Sequence, residues 1–255
     1  MAARLTRSLA TLAAPISFSQ GLALEEQLVA QVADARHHVA AALWRVEQCL
    51  VMPAKFENLP GFDRLKVESR ARGWPICLRR TGGDLTPQHP GFFNFSYAFK
   101  TRSTGKTTVA DAYRFLCTPL LDWIATRFSK KPMLGATAGS FCDGDFNINL
   151  DGRKVAGTAQ RWRVASRSGC SGEGFIVLGH AVVFAAGPIE PCVEIVNWFR
   201  ERTGTGSFVK TESHTTLLAE RPPEKEGHRC CEELMHSFGK HLRKPELHGA
   251  IHFEK

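Results

Sequence analysis

The fold is decided by residues 140–160, which read SFCDGDFNINLDGRKVAGTAQ. The first half contains a glycine and a cysteine, Cys142, and predicts a flexible loop. The second half predicts a tight hairpin, because Asp151-Gly152 favours a two-residue turn between antiparallel strands. Lys154 then lies just after the turn, at a fixed position on the second strand.

The cysteine and the lysine of this stretch have complementary chemistry. A thiolate is a good acyl acceptor because it is nucleophilic near neutral pH and leaves readily afterwards. A nearby ammonium group would favour the thiolate and stabilise an oxyanion on a bound carbonyl. Small residues at Ala156 and Gly157 would let a substrate lie against the sheet. The spacing alone favours an inert thiol and a surface lysine.

A second glycine-containing turn follows a strand predicted at residues 76–78. It reads RRTGGD over residues 79–84. Two glycines let the backbone approach a ligand closely and leave N–H groups pointing outward. Arg79 and Arg80 would hold a negative group or a carbonyl-rich partner. The spacing excludes a P-loop, and an ordinary turn is the alternative.

Both stretches resemble the biotin/lipoate protein ligase superfamily. The sequence GRKVAGTAQ at residues 152–160 resembles the motif G-[RK]-K-[IV]-A-G-[ST]-A-Q of lipoate ligases and octanoyltransferases, whose lysine binds substrate and is catalytic. The turn at residues 79–84 resembles the arginine–glycine signature of the same enzymes, with Asp84 in place of their third glycine. The sequence SFCDG at residues 140–144 resembles the loop of the transferases in which the cysteine is acylated. The resemblance extends over residues 18–200.

The resemblance implies a set of site residues. It implies that Cys142 and Lys154 are catalytic. It also implies a set of substrate-binding residues, namely Arg79, Arg80, Thr81, Gly82, Gly83, Asn94, Ala156, Gly157, Thr158 and His180. A buried position in the core is the alternative for His180. Asp84 would repel the phosphate of an acyl-adenylate, which argues against the use of ATP.

The remaining patterns predict an α+β fold, with a mixed, mostly antiparallel sheet and flanking helices, like the catalytic domain of the biotin and lipoyl protein ligases. Alternating or helical spacing of apolar residues predicts the elements, with strands at 92–100 and 175–184 and helices at 22–38, 109–128 and near 231–242. We expect an N-terminal tail at residues 1–17, one catalytic domain at 18–205, and a C-terminal extension at 206–255 that packs on the same domain.

The composition is that of an ordinary globular protein, with 255 residues, 43% of them hydrophobic. No stretch approaches the roughly 18 apolar residues of a membrane span, so we expect no membrane association. The first 24 residues are compatible with a weak organellar presequence, but we interpret them as a solvated tail and expect a cytoplasmic protein.

The cysteines and histidines do not predict a metal site. The eight cysteines form no CxxC pair and have no zinc-ligand spacing, so we expect reduced thiols. His214 and the histidines after it are irregularly spaced, which favours a solvated basic helix. Cys170 lies in a loop of small residues and is a second candidate for a reactive thiol.

The formal net charge of +8 indicates an acidic partner. The basic residues are spread along the chain and match no nucleic-acid-binding motif. An acidic protein that is steered by this charge fits best.

Three functions follow from the resemblance. In the first, Cys142 takes an octanoyl or lipoyl group from acyl carrier protein or the glycine cleavage H protein. It then passes the group to a lysine on the lipoyl domain of a 2-oxoacid dehydrogenase E2 subunit, without a cofactor or metal. The second is a lipoate–protein ligase that needs ATP and Mg²⁺, forms lipoyl-AMP and does not need Cys142. The third is a non-catalytic protein that binds lipoyl groups or carriers.

Overall fold

The computed structural model describes residues 7–34, 39–101, 108–165, 174–218 and 224–243. These ranges form ten strands and five α-helices, with the following bounds in chain order: β1 Arg7–Ile16, α1 Phe18–Ala33, β2 Val39–Val46, β3 Cys49–Pro53, α2 Phe62–Ala71, β4 Ile76–Arg79, β5 Thr86–Gln88, β6 Phe92–Thr101, α3 Val109–Phe128, β7 Met133–Leu134, β8 Ile148–Leu150, β9 Arg153–Val164, β10 Phe175–Phe184, α4 Glu190–Thr203 and α5 Glu224–Leu242.

Seven strands form the main sheet, in the order β1-β2-β6-β10-β9-β8-β7. Within this sheet, β1 and β2 are parallel, and the other neighbouring pairs of its described strands are antiparallel. Strands β4, β3 and β5 form a separate small sheet. The predicted α+β fold with a mostly antiparallel sheet is confirmed.

Helices cover both faces of the main sheet. Alternate residues of β2 point to opposite faces, as in any strand. Ala42 and Trp44 pack with helix α1, whereas Ala41 and Leu43 pack with α3 and α5. The core around the main sheet therefore has two layers, one on each face. The candidate site lies beside α1.

Helix α3 illustrates how local sequence determines an element. Thr108 and Asp111 form a capping box, in which each side chain accepts a hydrogen bond from the other's backbone N–H, and this arrangement satisfies otherwise unpaired donors at the helix start. One face of the helix is buried against the sheet, and the opposite face is exposed. None of the described helices combines the length and the apolar character needed to cross a membrane.

The hairpin between β8 and β9 has the predicted turn. Asp151 and Gly152 have φ angles of 51° and 76°, in the left-handed region that a type I′ turn requires at both positions. Leu150 pairs with Arg153 across the turn. Lys154 is therefore the second residue of β9 and lies just after the turn, as the sequence predicts.

A β-bulge in β9 sets the direction of the motif's side chains. Ile148 pairs with Ala156 and Asn149 with Lys154, which leaves Val155 as an extra residue on β9. A bulge interrupts the alternation of side chains along a strand. As a result Lys154 and Gly157 both face the site, whereas Ala156 lies in the hydrophobic core.

Residues 7–16, which the sequence analysis assigns to a tail, form strand β1 at the edge of the main sheet. The strand pairs in parallel with β2 and packs against α5. Its apolar side chains contribute to both layers of the core, Leu9 to one and Leu12 to the other. The tail prediction is wrong here because the partners of this strand come from distant parts of the chain.

Candidate active site

A cavity of about 460 Å³ lies between helix α1, the main sheet and the small sheet. Its volume is in the range of small-molecule sites, about 300–1,000 Å³. Apolar side chains form much of its wall, namely Phe18, Leu22, Ala23, Trp44, Val51, Ala54, Leu78 and Val182. Charged and polar side chains also line it, including Glu25, Glu26, Arg79, Arg80, Thr81, Asn94, Arg161, Arg163 and His180.

The cysteine loop runs between β7 and β8 and presents a half-buried thiol. Cys142 has a φ angle of 45°, a left-handed conformation that is uncommon for a residue with a side chain and is concentrated at functional sites. The Asp143 carboxylate accepts hydrogen bonds from the backbone N–H of Thr137 at 2.6 Å and from Asn147 Nδ2 at 3.3 Å. These bonds hold the loop in shape.

The side chain of Lys154 reaches the cysteine loop from the hairpin and is 1% exposed. Its ammonium donates hydrogen bonds to the carbonyl oxygens of Phe141 and Cys142, the second at 3.2 Å. Burial lowers the pKa of Lys154 to about 8, although a negative charge on Cys142 opposes this shift. A Cβ atom at Gly157 would lie 3.1 Å from Lys154 Nζ, so the glycine leaves space for the ammonium.

Cys142 and Lys154 line a second cavity of about 20 Å³. Both cavities are lined by Arg79, His180 and Val182. A chain lying in the larger cavity would therefore end beside the thiol and the ammonium. The structure thus brings together the two residues predicted to be catalytic.

The glycine turn contacts the thiol directly. Gly83 has a φ angle of +104°, and a Cβ atom there would lie 2.7 Å from both Cys142 Sγ and Arg79 Nη2. A larger residue would be strained by its backbone and would also be too close to these atoms. The next backbone N–H, that of Asp84, donates a hydrogen bond to Cys142 Sγ at 3.1 Å.

The carboxylate of Asp84 is paired, contrary to the expectation that it would repel a phosphate. Its Oδ2 accepts a hydrogen bond from Arg200 Nη2 at 2.6 Å, and its Oδ1 accepts one from the backbone N–H of Leu85 at 2.8 Å. Because a guanidinium group offsets its charge, Asp84 presents no unpaired carboxylate at this turn.

A buried polar network forms one wall of the larger cavity. The Glu25 carboxylate accepts a hydrogen bond from Ser96 Oγ at 2.8 Å and lies 3.1 Å from His180 Nδ1. Trp44 Nε1 donates to the same serine at 2.9 Å. Burial raises the pKa of Glu25, but the nearby His180 and the hydrogen bonds from His180 and Ser96 together hold it below the usual value. His180 thus lies at the cavity.

The other predicted binding residues divide into two groups. Arg79, Arg80, Thr81 and Asn94 line the larger cavity, and Thr158 lines the smaller one while its hydroxyl donates to the Phe146 carbonyl at 2.8 Å. Arg79 Nε and Thr81 Oγ1 are buried and have no hydrogen-bond partner among the described residues. By contrast, Gly82 is exposed and Ala156 lies in the core, so neither is among the residues that line the two cavities.

Three residues at the site were not predicted to lie there from the sequence. Arg200 and His214 come from the C-terminal third of the chain, and no local pattern connects them to the motifs. Glu25 had a detectable signal, because it shares a helical stripe with the buried Leu28 and Val32. A carboxylate on an apolar stripe indicates a buried partner.

His214 is buried beside the cysteine loop, whereas the sequence analysis expected it on a solvated basic helix. Its Nε2 accepts a hydrogen bond from the Phe141 N–H at 2.9 Å, and its Nδ1 lies 2.8 Å from the Lys210 carbonyl oxygen. The Thr215 N–H donates to the Lys154 carbonyl at 2.9 Å. Residues 209–218, which we term the C-terminal strap, therefore hold both the loop and the hairpin.

The other candidates divide between described and undescribed residues. Cys170, His248 and His252 lie outside the described residues, whereas His236 is exposed on α5 and His241 is buried on the same helix, 3.0 Å from the Asp122 carboxylate. Within the described ranges, no group of three or more His, Cys, Asp or Glu side chains is placed to hold a metal ion.

The mixed sheet with flanking helices is the fold of the lipoate-ligase catalytic domains. Lipoate-protein ligase A bound with ATP superposes with a TM-score of 0.57 at 13% identity, covering 92% of this chain and 85% of that chain. A bipartite lipoate protein ligase from Thermoplasma acidophilum, solved with its E2 lipoyl domain, superposes with a TM-score of 0.58 at 13% identity, covering 94% and 84%. These similarities concern the fold.

Sequence comparison assigns the family. An octanoyl-[GcvH]:protein N-octanoyltransferase of Kyrpidia tusciae is 29% identical over 76% of this chain and 68% of its own length. An uncharacterized protein of Cupriavidus necator is 32% identical over 66% and 68%. The lipoyl protein ligase A/B catalytic domain matches residues 17–175, and this chain belongs to that family.

Proposed function

We propose that this protein is an acyltransferase that moves an octanoyl or lipoyl group, through a thioester on Cys142, to the lysine of a lipoyl-carrier domain. The single observation that carries the proposal is the small cavity in which Cys142 and Lys154 meet at the end of the larger one. A ligase of this family would not need a thiol there.

The reaction has two balanced steps. In the first, the sulfur of Cys142 attacks the acyl carbonyl of the donor. The bond to the donor's nitrogen or sulfur breaks, and that atom takes the proton lost by the thiol. In the second, the ε-amine of the acceptor lysine attacks the thioester, the carbon–sulfur bond breaks, and the amine's proton restores the thiol. Neither step needs a cofactor.

The side chains around the thiol suit these steps. The positive charge of Lys154 favours the thiolate. The unpaired Nε of Arg79 and the hydroxyl of Thr81 are donors that fit a carbonyl oxygen or another negative group. The alkyl chain would lie in the larger cavity, against its apolar wall.

The partners are inferred from relatives and from charge. Several relatives are named octanoyl-[GcvH]:protein N-octanoyltransferases, so the glycine cleavage H protein is the proposed donor, with acyl carrier protein as the alternative. The proposed acceptor is the lipoyl domain of a 2-oxoacid dehydrogenase E2 subunit. A net charge of +8 would attract acidic carriers.

An ATP-dependent lipoate–protein ligase is the second candidate, and one observation favours it. Asp84 is paired with Arg200, so the turn of residues 79–84 carries two arginines without an opposing free carboxylate. Arg79 and Thr81 would fit the phosphate of an adenylate as well as a carbonyl.

Intact-mass analysis after mixing the protein with an octanoyl carrier, without ATP, tests the proposal. We expect an octanoyl adduct in the unaltered protein and in Cys230→Ala, whose thiol is also half-exposed, and none in Cys142→Ala. Full activity of Cys142→Ala together with a requirement for ATP would instead support the ligase.

A further inference from the structure

Asp84 connects the thiol of Cys142 to helix α4. Its backbone N–H donates to Cys142 Sγ at 3.1 Å, and its carbonyl accepts a hydrogen bond from Arg79 Nη2 at 3.0 Å. Its carboxylate accepts hydrogen bonds from Arg200 Nη2 at 2.6 Å and from the Leu85 N–H at 2.8 Å. Backbone and side chain are thus both fixed by hydrogen bonds.

Arg200 is the long-range component of this arrangement. It lies on helix α4, is 7% exposed, and is 116 residues from Asp84 in sequence. A charge buried to this degree is costly unless it is paired. The pair therefore resists opening, and it fixes the turn in one position relative to the sheet.

The turn of residues 79–84 packs tightly against the thiol of Cys142. A Cβ atom at Gly83 would lie 2.7 Å from Cys142 Sγ, so the peptide that carries the Asp84 N–H lies directly against the sulfur. A small rotation of this peptide would lengthen and bend its hydrogen bond to the sulfur. Such bonds weaken steeply with distance and angle.

We propose that Arg200, through Asp84, is a positioning residue that holds one backbone N–H on the sulfur of Cys142 and thereby stabilises its thiolate. A hydrogen bond to an ionised acceptor is roughly twice as strong as one to a neutral acceptor, so the N–H favours loss of the thiol proton to solvent. The same N–H receives the thiolate when the carbon–sulfur bond breaks in the second step. This last role rests on the proposed function, whereas stabilisation of the thiolate does not.

Alkylation of Cys142 by iodoacetamide as a function of pH tests the proposal in the full-length protein, with the modified peptide identified by mass spectrometry. We expect Arg200→Gln to move the alkylation profile up by about one pH unit, which is about a tenfold loss of rate at neutral pH. Arg200→Lys should recover part of the loss. Arg202→Gln is the matched control, because Arg202 is half-exposed on the same helix and pairs with Glu68 at 3.4 Å.

Asp84→Asn provides a second variant should Arg200→Gln not fold. It keeps the backbone N–H and an oxygen for Leu85 but loses the charge, so the profile should shift in the same direction. The alkylation profile of the double variant should shift no further than that of the more affected single variant, because both substitutions break the same ion pair.

Unchanged alkylation profiles in Asp84→Asn and in any folded Arg200→Gln would overturn the proposal. A shifted profile together with no acyl adduct from any carrier in the unaltered protein would leave the positioning role standing and remove the proposed function. The two ideas therefore fail separately.

Discussion

At the scale of single residues, Lys154 combines two properties that are normally opposed. Its side chain is almost completely buried, which disfavours the charged form. Its amino group nevertheless donates to two carbonyl oxygens of the cysteine loop, and such hydrogen bonds favour the charged form. The residue therefore fixes the loop and supplies a positive charge beside the thiol.

The lowered pKa of Lys154, about 8, predicts a limit to activity at alkaline pH. As the pH rises through this value the ammonium loses its proton, and the stabilisation of the thiolate is lost. The rate of acyl-enzyme formation in single-turnover experiments should then fall by about tenfold for each further pH unit. Lys154→Met should be about a hundredfold slower and show no such fall. A rate that keeps rising well above this pH in the unaltered protein would contradict the prediction.

At the scale of elements, local patterns predicted the parts of the fold whose partners are close in sequence. Strand β10 and helix α3 have the predicted bounds, 175–184 and 109–128, and the β8–β9 hairpin has the predicted turn. Strand β1 was missed because its pairing with β2 depends on the whole sheet. The bulge at Val155 was also missed, and it explains why Ala156 lies in the core.

The same distinction between motifs that are local in sequence and long-range contacts applies to the candidate site. Motifs in residues 79–84 and 140–160 identify the thiol, the lysine and the arginine of the turn, because these residues lie within the stretches that resemble the family. Arg200 and the C-terminal strap reach the site only after the chain has folded, since they begin about 40 residues or more beyond the last motif. No periodicity can indicate such contacts.

The strap predicts a pH-dependent stability that depends on His214. Burial lowers the pKa of His214 to about 4, below the ordinary value of 6.5, and the nearby Lys154 contributes to this shift. Between these values the unfolded chain binds a proton that the folded protein does not. The stability contributed by the neutral ring is therefore present above pH 6.5 and is lost as the pH falls towards 4. The difference in free energy of unfolding amounts to about 3 kcal/mol.

Denaturant titrations of the unaltered protein and of His214→Gln check this prediction. The free energy of unfolding should fall more steeply between pH 6.5 and pH 4 in the unaltered protein, because glutamine does not titrate and the carboxylates are common to both proteins. Parallel curves for the two proteins would show that the protonation of His214 is not linked to folding.

At the scale of the whole molecule, the net charge of +8 predicts how the protein meets its carrier. Long-range attraction between opposite charges accelerates encounter and is screened by salt, with a Debye length of about 30 Å at 0.01 M and about 8 Å at 0.15 M. The KM for an acidic octanoyl carrier should therefore rise by about tenfold over this range. The KM for a small neutral octanoyl thioester should hardly change, because the thiol is reached without a protein partner. An equal effect of salt on both donors would mean that the screening acts within the site and that the surface charge does not steer the carrier.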